Sequence, residues 1–429
     1  MYSRQDRIGI LIFGGYPVAF SPTILNTALF WANSNYRVDL LIERPALADI
    51  ENLSSLIEVH YCNNHDAMPA IKNADVCVIG KERLARYRYI RLFVNRFVFL
   101  KRCLLKILGI YALIRWGSRF LKYMYAVNIF SKNSDYKFLI GFEAEGLIAA
   151  YLLSIVYKLN FYYHSLEIYE PPNNLTDQIK KFLEKIANKK AIFTVIQDLY
   201  RAKELMRANG IDKEQIKIMP VSLFGPAIKT RTDYFRERFK IPANKKIILY
   251  LGGITSDMCC LEVAAQSSSA DWDDNWILIF HGFTSNINYI QKILSVSKSD
   301  RFILSLDTVS MRDLDSMTSS ADIGIALYLQ NNKNNEYAIS SSGKIAQYFK
   351  CGLPVIVNAV RQNEKLMNNF HSGFCVHEHS EIPMAISSIL MDYEKYREGA
   401  FSIFTARYDF EQNYNKLLTT KCWHRLFEK

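Results

Sequence analysis

Apolar residues fall along this chain in short unbroken runs, separated by stretches of helical spacing, and the two patterns alternate from end to end. Residues 7–13 form the first run, closed by Gly14 and Gly15. A helical stretch over 22–33 follows, and the next run covers 37–42. Runs of this kind read as strands buried on both faces of a parallel sheet. The series continues at 75–80, 137–141, 160–164 and 190–196, with helices predicted over 147–157 and 199–208. A second series begins at 245–251, again closed by paired glycines, Gly252 and Gly253. It goes on through 276–282, 301–305 and 321–327. Strand and helix in alternation, restarted once, predict an α/β protein of two Rossmann-like domains.

The densest chemistry sits at 340–357. Three serines and Gly343 precede a helical face of Ile345, Tyr348 and Phe349, and Gly352 is placed as its left-handed cap. Leu353 to Val357 is a buried strand. Hydroxyls and backbone N–H groups at a helix start suit an anion, and Lys344 sets a cation beside them. A phosphate cradle feeding a helix on a parallel sheet implies a nucleotide or phosphosugar site. An ordinary αβ unit with no ligand is the competing reading of this segment.

Composition adds one feature. The formal net charge is +11 over 429 residues, and all of it is local. Residues 81–122 hold twelve Lys or Arg and one acid, Glu82, while the remainder balances at 41 of each sign. Tyr87, Tyr89, Phe93, Phe97, Phe99, Tyr111, Trp116, Phe120, Tyr123 and Tyr125 are interleaved there. Arg115, Arg119 and Lys122 share helical spacing. Such a stretch lies well on an anionic bilayer, each basic residue contributing about 1 kcal/mol. A nucleic-acid surface and an ordinary solvated helix pair are the alternatives, and no recognised nucleic-acid module accompanies the patch. No stretch is long and apolar enough to predict a membrane span, and no signal peptide is evident. The eight cysteines form no C-x-x-C pair and no Cys/His cluster has zinc spacing, so reduced thiols in a cytosolic setting are expected.

The segment SGKIAQYFKCGLPVIV resembles the donor-binding segment of GT-B glycosyltransferases, chiefly those of the glycosyltransferase family 4 type. The resemblance follows the order of elements through most of the chain. It implies an N-terminal acceptor domain over 1–222 with the basic aromatic stretch 81–125, a nucleotide-sugar domain over 223–409, and a helix over 410–429 crossing back. The activity it implies is retaining sugar transfer from a nucleotide-sugar to a lipid-linked or surface-polysaccharide acceptor. The enzyme would be peripheral at the cytoplasmic membrane face, without metal or other cofactor and without nucleic acid.

For the donor the resemblance nominates Gly252, Gly253, Thr255, His281, Gly282, Ser342, Gly343, Lys344 and Gln347, the last where the family usually has Glu. His164, at the C-terminal end of its strand, matches a family histidine that contacts the donor sugar. As a lone histidine it is also read as structural. Gly14 and Gly15 are acceptor-side candidates or simply turn glycines. Glu143, Glu145 and Glu167 lie near the same edge, and the sequence does not choose among them. One departure stands out: the family cation after the second-domain glycine loop is missing, since residues 252–260 contain no Lys or Arg. A non-catalytic GT-B-like protein and a sugar-nucleotide 2-epimerase are the alternatives.

Overall fold

The computed structural model describes residues 6–13, 21–43, 54–62, 98–132, 134–168, 174–284, 286–297, 300–307, 309–310 and 313–428, with backbone alone for 98–109. The expected strand at 75–80, Gly14, Gly15 and the basic aromatic residues up to Phe97 lie outside the described residues.

Two compact units are present. The first comprises residues 1–196, 203–217 and 420–429, and the second 197–202 and 218–419. This division differs from the expected one. Residues 197–202 and 218–222 go with the second unit, as does the helix Phe410–Leu418. Only the separate short helix Lys421–Phe427 goes with the first, so 410–429 is not one helix.

The first unit holds a sheet in the order β3-β2-β1-β4-β5-β6-β7, made of β1 (Arg7–Ile12), β2 (Arg37–Ile42), β3 (Ile57–Tyr61), β4 (Tyr136–Phe142), β5 (Asn160–His164), β6 (Thr194–Ile196) and β7 (Ile216–Ile218). Pairing from β3 through β6 is parallel. β1, β2 and β4 are apolar and buried almost throughout, as two-faced coverage requires. β3 is half-buried and polar at alternate positions, which left it without an apolar run to read. Trp423 of the last helix stacks on Trp31 at 5.5 Å and meets Phe138, Tyr162 and Phe193, so the chain's end completes this core.

The second unit repeats the plan as β10-β9-β8-β11-β12-β13, all parallel: β8 (Lys246–Gly253), β9 (Trp276–Phe283), β10 (Phe302–Ser305), β11 (Ile323–Ala326), β12 (Val355–Asn358) and β13 (Gly373–Val376). The charged stretch before β8 has a structural use. Arg231 and Arg236 reach the buried carboxylate of Asp322 at 2.8 and 3.4 Å, and Ile247 N–H donates to it at 2.8 Å. A buried carboxylate held by two guanidiniums and a backbone donor is fully compensated.

The strand order reverses at β1 in one sheet and at β8 in the other, so the C-terminal ends of these strands are topological switch points. This is where ligands bind in open α/β sheets.

Candidate functional site

The cradle is built on the helix Gly343–Lys350. Ser342 caps it, its hydroxyl accepting from Ile345 N–H, and Tyr328 Oη donates to that hydroxyl at 2.6 Å. The expected apolar face is present: Ile345, Tyr348 and Phe349 are buried. Tyr348 Oη donates to Leu249 O at 3.0 Å and accepts from Leu251 N–H at 2.8 Å, which fastens the helix to β8. Gly324 makes room for that ring, since a Cβ there would come within 2.4 Å of it. Gly352 has φ +70° and ends the helix as expected, its face covered by the Phe401 ring.

Lys344 leans from this helix over the end of β8. Its Nζ donates to Tyr250 Oη at 3.0 Å and lies 4.1 Å from the centre of that ring and 5.6 Å from the Tyr328 ring. A Cβ at Gly252 would lie 3.6 Å from Lys344 Cε, in ordinary contact, so the end of the lysine passes directly over this glycine. Among the described residues no carboxylate pairs with it. Burial lowers its pKa to about 8, so the ammonium is charged at neutral pH at an electrostatic cost. The aromatic faces offset part of that cost, about 0.5–2 kcal/mol each. An anion would offset the rest.

The other donor candidates divide. Gly253 faces open space and Thr255 is exposed beside it. Gly252 has φ +114° and sits against Gly282, where any Cβ would strike the Gly252 carbonyl, so Gly282 serves the strand approach. His281 is turned inward: its Nδ1 hydrogen-bonds Ser305 Oγ at 2.9 Å and its ring meets Phe235. Gln347 is likewise spent internally. Its amide donates to Asp315 Oδ1 at 2.8 Å, and Lys350 holds the other oxygen of that carboxylate at 2.7 Å. The structure therefore brings Ser342, Gly343, Lys344 and Gly252 together, with Gly253 and Thr255 at the mouth. It does not bring His281 or the Gln347 amide to the ammonium.

One cation was missed. Arg201 is buried beside the cradle serines, its Nη2 donating to Ser341 Oγ at 2.7 Å and to Asn334 O at 2.9 Å. Asp198 caps its helix start and lies 3.7 Å from its Nε. The only sequence signal was the Asp198-x-x-Arg201 spacing at a helix start, which by itself reads as ordinary capping.

In the first unit, β4 runs directly into the helix Glu143–Tyr157. The helix expected from 147 thus starts four residues earlier, and Gly146 in its first turn lets it approach β1: a Cβ there would lie 2.4 Å from Leu11 O. His164 is 1% exposed, its ring stacked on Phe142 at 4.8 Å, and its Nδ1 has no hydrogen-bond partner. Burial lowers its pKa to about 3, so the imidazole is neutral at physiological pH. A neutral imidazole with so low a pKa is a weak base near neutrality, and its free Nδ1 suits hydrogen bonding to a hydroxyl.

Glu143 accepts from Leu166 N–H at 3.1 Å. Burial first, and then the Glu167 charge, push its pKa well up. Glu145 is paired with Lys180 at 2.9 Å, and Glu167 is exposed. Of the three acids, Glu143 is the one whose environment is perturbed in the way reacting groups are.

Residues 284–411, which contain the whole cradle, match the family model described as Glucosyltransferase 3-like, C-terminal domain. No curated protein matches the chain. Solved structures do. Sucrose-phosphate synthase from Thermosynechococcus elongatus is similar at 13% identity and a TM-score of 0.69, over 99% of both chains. Anabaena Alr3699/HepE in complex with UDP-glucose is similar at 13% identity and 0.63, over 96% of this chain and 100% of that one. WaaG, a glycosyltransferase involved in lipopolysaccharide biosynthesis, is similar at 10% identity and 0.58, over 97% and 99%.

Proposed function

From the GT-B fold that this chain shares with those glycosyltransferases, we propose that it is a hexosyltransferase using a uridine diphosphate sugar. The acceptor is a lipid-linked or surface-polysaccharide glycan at the cytoplasmic face of an anionic membrane. The observation that carries the reading is Lys344, a half-buried ammonium with no carboxylate partner among the described residues, at the capped start of the cradle helix and inside the segment that matches a glucosyltransferase domain. The UDP-glucose in the HepE complex supports the donor class, and the involvement of WaaG in lipopolysaccharide biosynthesis supports a surface-glycan acceptor.

In this reading Lys344 and the Gly343 and Lys344 backbone N–H groups face the donor diphosphate, while Arg201 holds Ser341 in place. The bond between the sugar anomeric carbon and the phosphate oxygen breaks, and the acceptor oxygen bonds that carbon on the same face. The acceptor proton passes to the leaving diphosphate. Charge on that diphosphate grows as the bond breaks, so a fixed ammonium stabilises the transition state more than the ground state. His164, neutral, accepts a hydrogen bond from a sugar hydroxyl through Nδ1. No metal or other cofactor enters the proposal.

The membrane assignment rests on the helix Val98–Ser131. No helix among the described residues is long and apolar enough to cross a membrane. One face of this helix packs inward, where Tyr123 Oη donates to Leu41 O and accepts from Ile12 N–H, and Phe120 meets Phe13. The opposite face exposes Ile110, Ile114, Leu121 and Tyr125 on one stripe, flanked by exposed Arg115 and Lys122. Arg119 does not join them, because Glu43 holds it through two contacts of 2.7 and 2.6 Å.

Calorimetric titration with UDP, GDP and their common sugar conjugates tests the donor. UDP or a UDP-sugar is expected to bind, and Lys344→Ala to lose that binding. If the protein binds a donor without transferring sugar, the non-catalytic reading gains, since Gln347 leaves no carboxylate in the family position. Epimerised donor in the product would favour the epimerase reading. For the membrane, Leu121→Ser with Tyr125→Ser is expected to weaken partition onto anionic vesicles about ten-fold, with donor binding unchanged. Equal partition on neutral and anionic vesicles would remove that assignment.

A further inference from the structure

One group of side chains in the first unit has no part in the function above. Asp39 of β2 and Glu58 of β3 are register partners, and His60 stands two residues beyond Glu58. Side chains alternate along a strand, so all three share one face of the sheet. Their polar atoms are divided between two sets of contacts.

Arg7 Nη1 donates to Asp39 Oδ2 at 3.1 Å, and Tyr136 Oη donates to the same oxygen at 2.6 Å. Arg7 Nη2 lies 3.5 Å from Glu58 Oε1. The remaining oxygens, Asp39 Oδ1 and Glu58 Oε2, each lie 3.7 Å from His60 Nε2. One ligand atom from each of the three residues lies within 4.8 Å of the others. Asp39 is 1% exposed, and both its Oδ1 and the buried His60 Nε2 lack a hydrogen-bond partner. A separation of 3.7 Å is too long for a hydrogen bond, and leaving two such atoms unsatisfied is costly. Phe130 packs on the His60 ring at 4.5 Å and helps fix its orientation.

We propose that Asp39 Oδ1, Glu58 Oε2 and His60 Nε2 bind one divalent transition-metal ion, with zinc the best fit. Tetrahedral zinc with nitrogen and oxygen ligands at about 2.0–2.2 Å sets those atoms roughly 3.3–3.5 Å apart. The two nitrogen–oxygen spacings of 3.7 Å therefore need to close by only a few tenths of an ångström, and the exposed Glu58 side chain can bring its oxygen in from within 4.8 Å. One imidazole with two carboxylates is a transition-metal donor set, whereas calcium takes six or more oxygens. Water completes the fourth position.

Arg7 and Tyr136 hold the non-ligating oxygen of Asp39, the kind of outer support that orients a metal-binding carboxylate. The ion's work is structural. Among the described residues β3 is the edge strand of the sheet, and the ion fastens it to β2. Neither the donor cradle nor His164 takes part, so the two proposals stand or fall separately.

The test is a zinc titration of chelator-treated full-length protein in competition with a chromophoric zinc indicator. One bound equivalent is expected, with a rise in Tm. His60→Ala and Glu58→Gln should each weaken binding at least ten-fold. Glu58 is about half-exposed, so Glu58→Gln folds without difficulty and keeps the test readable if His60→Ala does not. Cobalt in place of zinc should give the visible bands of a four-coordinate site, lost in His60→Ala. Failure of the wild type to bind zinc at micromolar concentration overturns the proposal. So does binding that survives both substitutions, which would place the ion on other histidines such as His377 and His379.

Discussion

The two sheets share a strand order and differ in the charge they gather at their C-terminal ends. At the end of β8 stands an ammonium with no carboxylate beside it. Near the ends of β4 and β5 stand Glu143, Glu145 and Glu167 with a neutral histidine among them. Each end leaves a buried or partly buried polar group under-compensated: Lys344 in one and His164 Nδ1 in the other. Asp322, just before β11 and next to β8 in the same sheet, shows what full compensation looks like, with two guanidiniums and a backbone donor. Identical architecture thus carries opposite electrostatics, and the groups left without partners mark where a ligand is expected.

The comparison breaks most visibly at Lys344. Lys344→Ala is expected to weaken UDP binding at least a hundred-fold, about 2.7 kcal/mol. With a pKa of about 8 in the free protein, the ammonium is fully charged below pH 7 and lost above 9. UDP affinity should therefore fall as pH rises through 8. The linked effect on stability has the opposite direction. The folded pKa lies below the unfolded value of about 10.4, so the unfolded chain holds more protons between the two, and stability rises with pH in that window. Lys344→Met should remove both trends; donor affinity flat from pH 7 to 9.5 in the wild type would refute them.

His164→Ala probes the other end and should lower turnover about ten- to hundred-fold with UDP affinity nearly unchanged, because the imidazole is assigned to the sugar and not to the phosphates. Equal losses in UDP binding and turnover would make it a packing residue. No acid limb between pH 5 and 7 should trace to it, since it is already neutral there. The smallest effect is expected at Gln347. Gln347→Glu restores the usual family residue yet sets a second carboxylate against Asp315, so it should cost about 1–2 kcal/mol, read as a lower Tm. A gain in activity without loss of stability would reverse the internal role assigned to Gln347.

Much of this was legible in the sequence where the signal is periodic. The apolar runs of β1, β2, β4, β8 and β9 and the face of Ile345, Tyr348 and Phe349 follow from burial alone, and Gly352 from its backbone. Lys344 could be read because serines and glycine surround it. β3 could not, since its Ile-Glu-Val-His-Tyr pattern is half polar. Arg201 and the inward turns of His281 and Gln347 depend on partners more than twenty residues away, which no local pattern encodes. The unit division departs from the sequence pattern for the same reason: residues 197–202 group where Arg201 finds Ser341 and Asn334.

Trp423 has a consequence for synthesis. Trp31, Phe138, Tyr162 and Phe193 all leave the ribosome more than two hundred residues ahead of the indole that packs among them. At about 5–20 residues per second, the stretch from Phe193 to Trp423 takes on the order of ten to forty-five seconds. Throughout that interval the nascent first unit carries an uncovered aromatic surface, a natural landing place for a chaperone, and a message cut short before Trp423 would leave it open for good.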